Sequence, residues 1–288
     1  MKYAFVAEQR TRYPVKLLCH VLELSTSGYY EYLHRARTEV ADRDGQVRED
    51  LRAIHRASRG SYGRPRLAAA LRAKGHRINP KRVRRLMQEE ALHGAVKGRF
   101  KPTTTNSRHG NRVAENVLDR RFGVGEAPPA WVSDITYIPM RQGWLYLAVI
   151  IALQTRQVLG YCLADHLRED LVLIAFHNAI TLHGAGEGVL FHSDRGVQYT
   201  ATAFKQSTQQ HGFIQSMSRK GDCWDNAVSE SFFATLKTEE VVRPYDDADS
   251  AHRAIASYIH GFYNSQRLHS TLGYRSPNDF ACLLKHTA

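Results

Sequence analysis

The stretch GVLFHSDRGVQYT, residues 188–200, decides how this chain is read. Val189, Leu190 and Phe191 form a brief apolar run between turn signals, the pattern of a short buried strand. His192, Ser193 and Asp194 follow at its end, and Arg195-Gly196 comes at once. A carboxylate at the end of a buried strand has two explanations. It belongs to a turn, because Asp and Gly favour turns, or it is placed there for chemistry. The stretch alone leaves both open, and the remainder of the chain chooses.

The 288 residues hold enough length for about two domains and a substantial core. With 43% hydrophobic and 24% charged residues, the composition is that of an ordinary globular protein. No apolar run reaches the roughly 18 residues of a membrane span, and no signal-peptide segment opens the chain. Cys19, Cys162, Cys223 and Cys282 are far apart with no CxxC pair, which indicates neither a zinc site nor a disulfide framework and fits a reducing cytosol. Charge is the sharper signal. Residues 1–125 carry 27 Lys and Arg against 12 Asp and Glu, a balance of +15, whereas residues 126–288 carry 13 against 16, a balance of −3. A basic half joined to a slightly acidic one points to a polyanion gripped by one part and a different task in the other.

The basic half reads as short helices. Val15, Leu18, Val21, Leu22 and Leu24 recur at helical spacing, a Ser-Thr-Ser-Gly turn follows, and Tyr29, Tyr30 and Leu33 mark a second helix. That is helix-turn-helix-like. The pattern returns in RPRLAAALRAKG, closed by Gly75, and in KRVRRLMQEE, opened by Asn79-Pro80. Arg64, Arg66, Lys81, Arg82, Arg84 and Arg85 are the candidate DNA contacts. A solvated basic face on ordinary helix packing is the alternative. Residues 96–129 read as a basic linker interrupted by a short helix near Val113–Phe122.

From Trp131 the texture turns to β. WVSDITYIPM, WLYLAVIIAL and QVLGYCLAD predict three strands, and helices alternate with the strands around Phe191 and FIQSMS. These elements describe an α/β mixed sheet with flanking helices. Three partly buried acids fall within it: Asp134 in the first strand, Asp194 at the end of the fourth, and Glu230 on the helix beside Phe232 and Phe233. There are 59 residues between the first pair and 35 between the second. Spacing alone favours three unrelated acids, each satisfied locally. A divalent cation is the other way to compensate buried carboxylates, and magnesium prefers such hard oxygen ligands.

Four strings in chain order, WVSDITYIP, HSDRGVQY, DNAVSESFFATLKTE and YNSQRLHSTLGYRSP, resemble the transposases of the insertion-sequence-three family. The Asp, Asp, Glu order is similar to the DDE integrase core, and YGRPRLAAALRAKG with NPKRVRRLMQEE resembles that family's helix-turn-helix segment. The likeness covers nearly the whole chain and looks like the second reading frame of such elements. It implies a ribonuclease-H-like fold with a helical DNA-binding region at 1–95, a linker at 96–129, a catalytic core at 130–245 and a helical extension at 246–288. It makes Asp134, Asp194 and Glu230 the catalytic, metal-binding triad, holding two Mg²⁺ or Mn²⁺ ions once DNA is bound. Lys237, two helical turns after Glu230, matches a residue that contacts DNA near the cleavage point. His192, Ser193, Gly196 and Asn226 become supporting neighbours, with Gly196 letting the backbone turn sharply. Trp224 reads as core packing, and Tyr263, Asn264, Arg267 and His269 match family positions that could serve only to dock the last helix. The implied partners are the element's terminal inverted repeats, target DNA, the upstream reading-frame product and further copies of the chain. The implied setting is cytoplasmic and nucleoid-associated. Ala152 stands where the family often has an acid. The activity implied is metal-dependent strand cleavage and transfer; a nuclease that only hydrolyses and an inactive DNA-binding regulator are the alternatives.

Overall fold

The computed structural model describes residues 2–37, 44–95, 111–123, 128–184, 186–219 and 223–287. By contacts the chain divides into two compact units, Met1–Ala53 and Ile54–Ala288. The first holds α1 (Lys2–Gln9), α2 (Val15–Val21) and α3 (Thr26–Arg37), whose apolar positions close around Val6, Cys19 and Tyr29. Helix α4 (Gly45–Ala57) crosses the boundary between units. In the second unit, α5 (Arg64–Ala73) has Pro65 in its first turn, and α6 (Pro80–Glu89) starts where the Asn79 side chain accepts the Arg82 N–H at 2.8 Å. Val83, Leu86 and Met87 give α6 its buried stripe at i, i+3 and i+4.

Five strands form one sheet: β1 (Ala130–Pro139), β2 (Trp144–Ala152), β3 (Val158–Ala164), β4 (Leu190–Ser193) and β5 (Ile214–Met217), in the order β3-β2-β1-β4-β5. The first three are antiparallel neighbours, as their short connections require, and β4 runs parallel to β1 and to β5. This is the mixed ribonuclease-H-like sheet. Its crossovers are α7 (Glu169–His183), the single turn α8 (Val197–Thr200) and α9 (Thr202–Gln210). Phe176 of α7 is the centre of the core, edge-on to Phe191 at 5.4 Å and to Phe213 at 5.3 Å. Helix α7 crosses β3 at Gly160, where a β-carbon would stand 2.4 Å from the Ala175 carbonyl oxygen. Only glycine permits that approach. Ala152 ends β2 opposite Trp131 and packs against this core.

Helix α10 (Ala227–Glu239) follows a 3₁₀ turn at Cys223–Asn226, and α11 (Ala248–Ala256), a π turn at Ser257–Tyr263 and α12 (Pro277–Thr287) complete the chain. Two further α-helices thus follow the one that carries Glu230. The tail motif makes structural contacts with β3 and α10. The Asn264 amide mimics a strand neighbour, accepting from Val158 N and donating to Val158 O, both at 2.9 Å. Arg267, 4% exposed, grips Glu239 at the end of α10 with Nε at 2.8 Å, and the Tyr258 hydroxyl donates to the same carboxylate at 2.8 Å. The Tyr263 ring meets Phe232 of α10 edge-on at 4.8 Å.

One expected element is absent. Residues 111–123 form no helix, because their backbone groups are spent on β5. The N–H groups of Val117 and Leu118 both donate to Ser216 Oγ, and Met217 N donates to Glu115 O. Leu118 is fully buried, so this part of the expected linker belongs to the core. Residues 96–110 and 124–127 of it lie outside the described residues.

Candidate active site

Register brings the two aspartates together. Val132 of β1 pairs with His192 of the parallel β4, so two residues further along both strands Asp134 stands beside Asp194. Side chains alternate with period 2, which keeps both on the face of that last pair. Each carboxylate takes a local donor: Asp134 Oδ1 accepts the Ile135 N–H at 2.8 Å, and Asp194 Oδ1 accepts the Gly196 N–H at 2.9 Å. They line one small recess with Leu167, Gly196, Gln198 and Tyr199. Burial, and next the charge of Asp194, push the Asp134 carboxyl well above the usual range. Two carboxylates in one recess repel each other, and either a proton or a cation relieves that repulsion.

Glu230 and Lys237 lie on α10, which packs against β1. Both charges act on Asp134, Glu230 raising its pKa and Lys237 lowering it, as expected for residues two turns apart on one helix face. Burial lowers the Lys237 pKa, and Asp134 opposes that shift. Glu230 itself is exposed rather than partly buried, although Phe232 and Phe233 just after it are buried. Among the described residues no group of three His, Cys, Asp or Glu is close enough to hold a metal ion. The structure thus pairs the aspartates and leaves Glu230 on the adjoining helix. Gly196 also differs from expectation. Its φ of −60° and ψ of 149° are open to any residue, but a β-carbon would lie 3.0 Å from Asp194 Oδ1. Its role is space, not a turn.

The integrase core domain family matches residues 126–223 and, in a second stretch, residues 211–277, and an HTH-like domain family matches residues 42–100. The transposase InsF for insertion sequence IS3A of Escherichia coli is 34% identical over 285 residues, covering 97% of this chain and 98% of its own. The 31 kDa protein of insertion element IS600 from Shigella sonnei is 36% identical over 264 residues, covering 91% and 97%. The chain belongs to the IS3 transposase family. It is a DDE-type transposase that acts on DNA. A solved structure with a looser likeness is the HTLV-2 integrase catalytic core with magnesium, 15% identical, with a TM-score of 0.40 over 53% of this chain and 94% of that one.

Around the aspartates the transposase is heavily cross-braced. His192 is buried with its Nε2 3.0 Å from the Asp225 carbonyl and its Nδ1 2.9 Å from Ser216 Oγ. A carbonyl only accepts, so the ring proton is on Nε2 and Ser216 donates to Nδ1. Burial pushes the His192 pKa down to about 4, and the ring is neutral. Ser193 Oγ turns back to the Asp194 carbonyl at 3.0 Å. Asn226 opens α10, and the Trp224 side chain lies outside the described residues. Sequence reasoning passed over Asp225, whose partners Arg120 and Asn116 come from more than 100 residues away. Its only local signal was an acid beside an Asn just before a helix.

The basic residues lie apart from the aspartates, on α5 and α6. Arg64, Arg66, Arg84 and His93 line a cavity of about 770 Å³ with Tyr274. Arg66 has an internal task as well, because its Nε donates to Leu268 O at 2.9 Å. Lys81, Arg84 and Arg85 are exposed, Arg85 pairing with Glu89 at 2.7 Å, and Arg82 is half-buried. Among the described residues no helix is long and apolar enough to cross a membrane.

Proposed function

We propose that Asp134, Asp194 and Glu230 are the catalytic carboxylates of metal-dependent DNA cleavage and strand transfer at the ends of an insertion sequence. The observation that carries this reading is the shared recess of Asp134, within β1, and Asp194, just past the end of the parallel β4, with the Asp134 carboxyl raised by burial and by its neighbour. The donor set fits a hard cation. Hard cations such as magnesium are commonly held by one or two carboxylates plus substrate phosphates, which is what two aspartates in a recess offer. Mg²⁺ or Mn²⁺, two ions with DNA bound, would supply the charge that activates an attacking oxygen and stabilises a leaving one.

The chain's own residues do the rest. Asp134 and Asp194 would hold the ions from the sheet, and Glu230 would add the third carboxylate from α10. Lys237 places an ammonium beside Asp134, within the reach of a phosphate next to the scissile bond. His192 stays neutral and holds the β4 end in place, so Asp194 keeps its direction. Water attacks a phosphodiester at the element end, a P–O bond forms to water, and the P–O3′ bond breaks to leave a 3′-OH. That hydroxyl then attacks a target phosphodiester, forming one P–O bond and releasing one, with no covalent enzyme intermediate. Arg64, Arg66, Lys81, Arg82, Arg84 and Arg85 hold phosphates of the terminal repeats, sequence-independent contacts that position rather than specify. The upstream reading-frame product and further copies of the chain are the partners this activity needs to join two ends.

A duplex with a pre-cleaved 3′ end separates transfer from plain hydrolysis. Incubated with Mg²⁺ or Mn²⁺ and a second duplex, the transposase should join the two into a longer strand. Cleavage of an uncut end with no joined product from the pre-cleaved one would reduce it to a nuclease.

A further inference from the structure

Asp225 is a buried acid to which the reaction gives no part. Its side chain is 0% exposed, and both oxygens are occupied: Asn116 Nδ2, Arg120 Nε and Arg219 N each donate at 2.8 Å, and Arg219 Nε at 3.1 Å. Enclosing a carboxylate costs several kcal/mol unless charges and donors meet it, so a cluster this complete marks a position that is being held. What it holds follows from the chain. The Asp225 carbonyl accepts His192 Nε2, two residues before Asp194. Asp225 lies five residues before Glu230, and Asn226 opens α10 directly after it. Arg219 lies two residues beyond β5, and Arg120 and Asn116 belong to the segment clasped on Ser216. Asp225 therefore joins, through its carbonyl, the strand of Asp194 and, through its carboxylate, the segment just after the edge strand and residues 111–123, all directly before the first turn of the Glu230 helix.

That first turn has little else to fix it. Asn226 makes no side-chain cap, and the buried Asn226 Oδ1 and Ser229 Oγ have no hydrogen-bond partner. An uncapped helix start frays unless something outside it takes the strain. The other end of α10 is secured by Arg267 on Glu239. We infer that Asp225, with Arg120 and Arg219, is a positioning residue of the transposase: a clamp that sets the start of α10 and so fixes where Glu230 stands relative to Asp134 and Asp194. The inference rests on reading those three acids as the reacting centre.

Two variants of the full chain test it. Asp225→Asn keeps the shape and the carbonyl bonded to His192 but removes the charge. Arg120→Gln removes one guanidinium from a segment remote in sequence. Three measurements are compared with wild type: amide hydrogen exchange, thermal midpoint, and the Mn²⁺ concentration giving half-maximal cleavage of a duplex bearing an element end. Each variant should speed exchange at least tenfold over residues 226–232 while leaving β1 to β3 unchanged, and should raise the Mn²⁺ midpoint at least fivefold. The double variant should be no worse than Asp225→Asn alone, because both remove one link. A lower thermal midpoint with unchanged exchange and an unchanged Mn²⁺ midpoint would reduce Asp225 to a structural residue and overturn the clamp, as would additive effects. If wild type fails to cleave, the reading of the three acids falls, and exchange alone judges the clamp: without the tenfold rise it falls too.

Discussion

At Gly196 a β-carbon would stand 3.0 Å from Asp194 Oδ1 and 3.1 Å from Gln198 Oε1, so Gly196→Ala forces one of two recess side chains aside. Cleavage should drop by about tenfold or more, because sub-ångström misplacement of a reacting group is costly. The thermal midpoint should hardly move, since the alanine's backbone is ordinary; unaltered cleavage would show that Asp194 tolerates the shift. His192 supplies a pH test. A buried histidine held near a pKa of about 4 binds no proton that the unfolded chain binds below about 6.5. Its share of stability is therefore full above 6.5 and fades as pH falls toward 4, by about 1.4 kcal/mol per pH unit. In denaturant titrations from pH 7.5 to 4.5, His192→Gln should be less stable at neutral pH and flatter below 6.5; parallel curves would mean that the ring titrates normally. The places of Asp134 inside a strand and of Asp194 at a strand end were legible from sequence, because apolar runs and turn signals are local, but their nearness was not, since it rests on the register of β1 with β4. The exposure of Glu230 and the network of Asp225 were not, since both depend on what packs beside α10.

Helix α10 carries Glu230 and Lys237 on one face and is held at its C-terminal end by an ion pair enclosed on all sides, with Glu239 and Arg267 side chains 4% and 5% exposed. Removing one partner strands the other charge in the interior, a loss of about 3–5 kcal/mol. Arg267→Met should lower the denaturation free energy by that amount, and Glu239→Gln by less, because the amide still accepts from Tyr258 and Arg267. A change below about 1 kcal/mol for Arg267→Met would place the pair among weak surface bridges. All five strands and the major helices of the sheet were legible, because apolar runs bounded by turns announce them. The single turn α8 and the irregular course of residues 111–123 were not. The latter segment has a helical pattern of its own but gives its N–H groups to Ser216, a tertiary choice that propensity cannot anticipate.

For the whole molecule, the charge division near residue 125 suggests where DNA is gripped, yet packing puts a boundary elsewhere. Within the second unit Arg59 pairs with Glu240, its guanidinium lies over the Tyr258 and Phe262 rings, and Leu268 N donates to the Tyr62 hydroxyl at 2.7 Å. A fragment of residues 54–288 keeps these contacts, whereas 126–288 loses all of them. The longer fragment should melt cooperatively near the full chain, and the shorter one at least about 6–12 °C lower, as expected for a loss near 3 kcal/mol in a domain of this size. Equal midpoints would restore the boundary that charge suggests. The most direct measurement is Mg²⁺-dependent cleavage of a duplex carrying the element end, comparing wild type with Asp134→Asn and Asp194→Asn at matched DNA occupancy. Each swap removes one carboxylate charge from the recess at nearly constant shape. Cleavage by wild type with loss of at least about a hundredfold in both variants, DNA binding being unchanged, is the predicted result. Near-normal cleavage by either variant would remove that aspartate from the reacting centre and contradict the account.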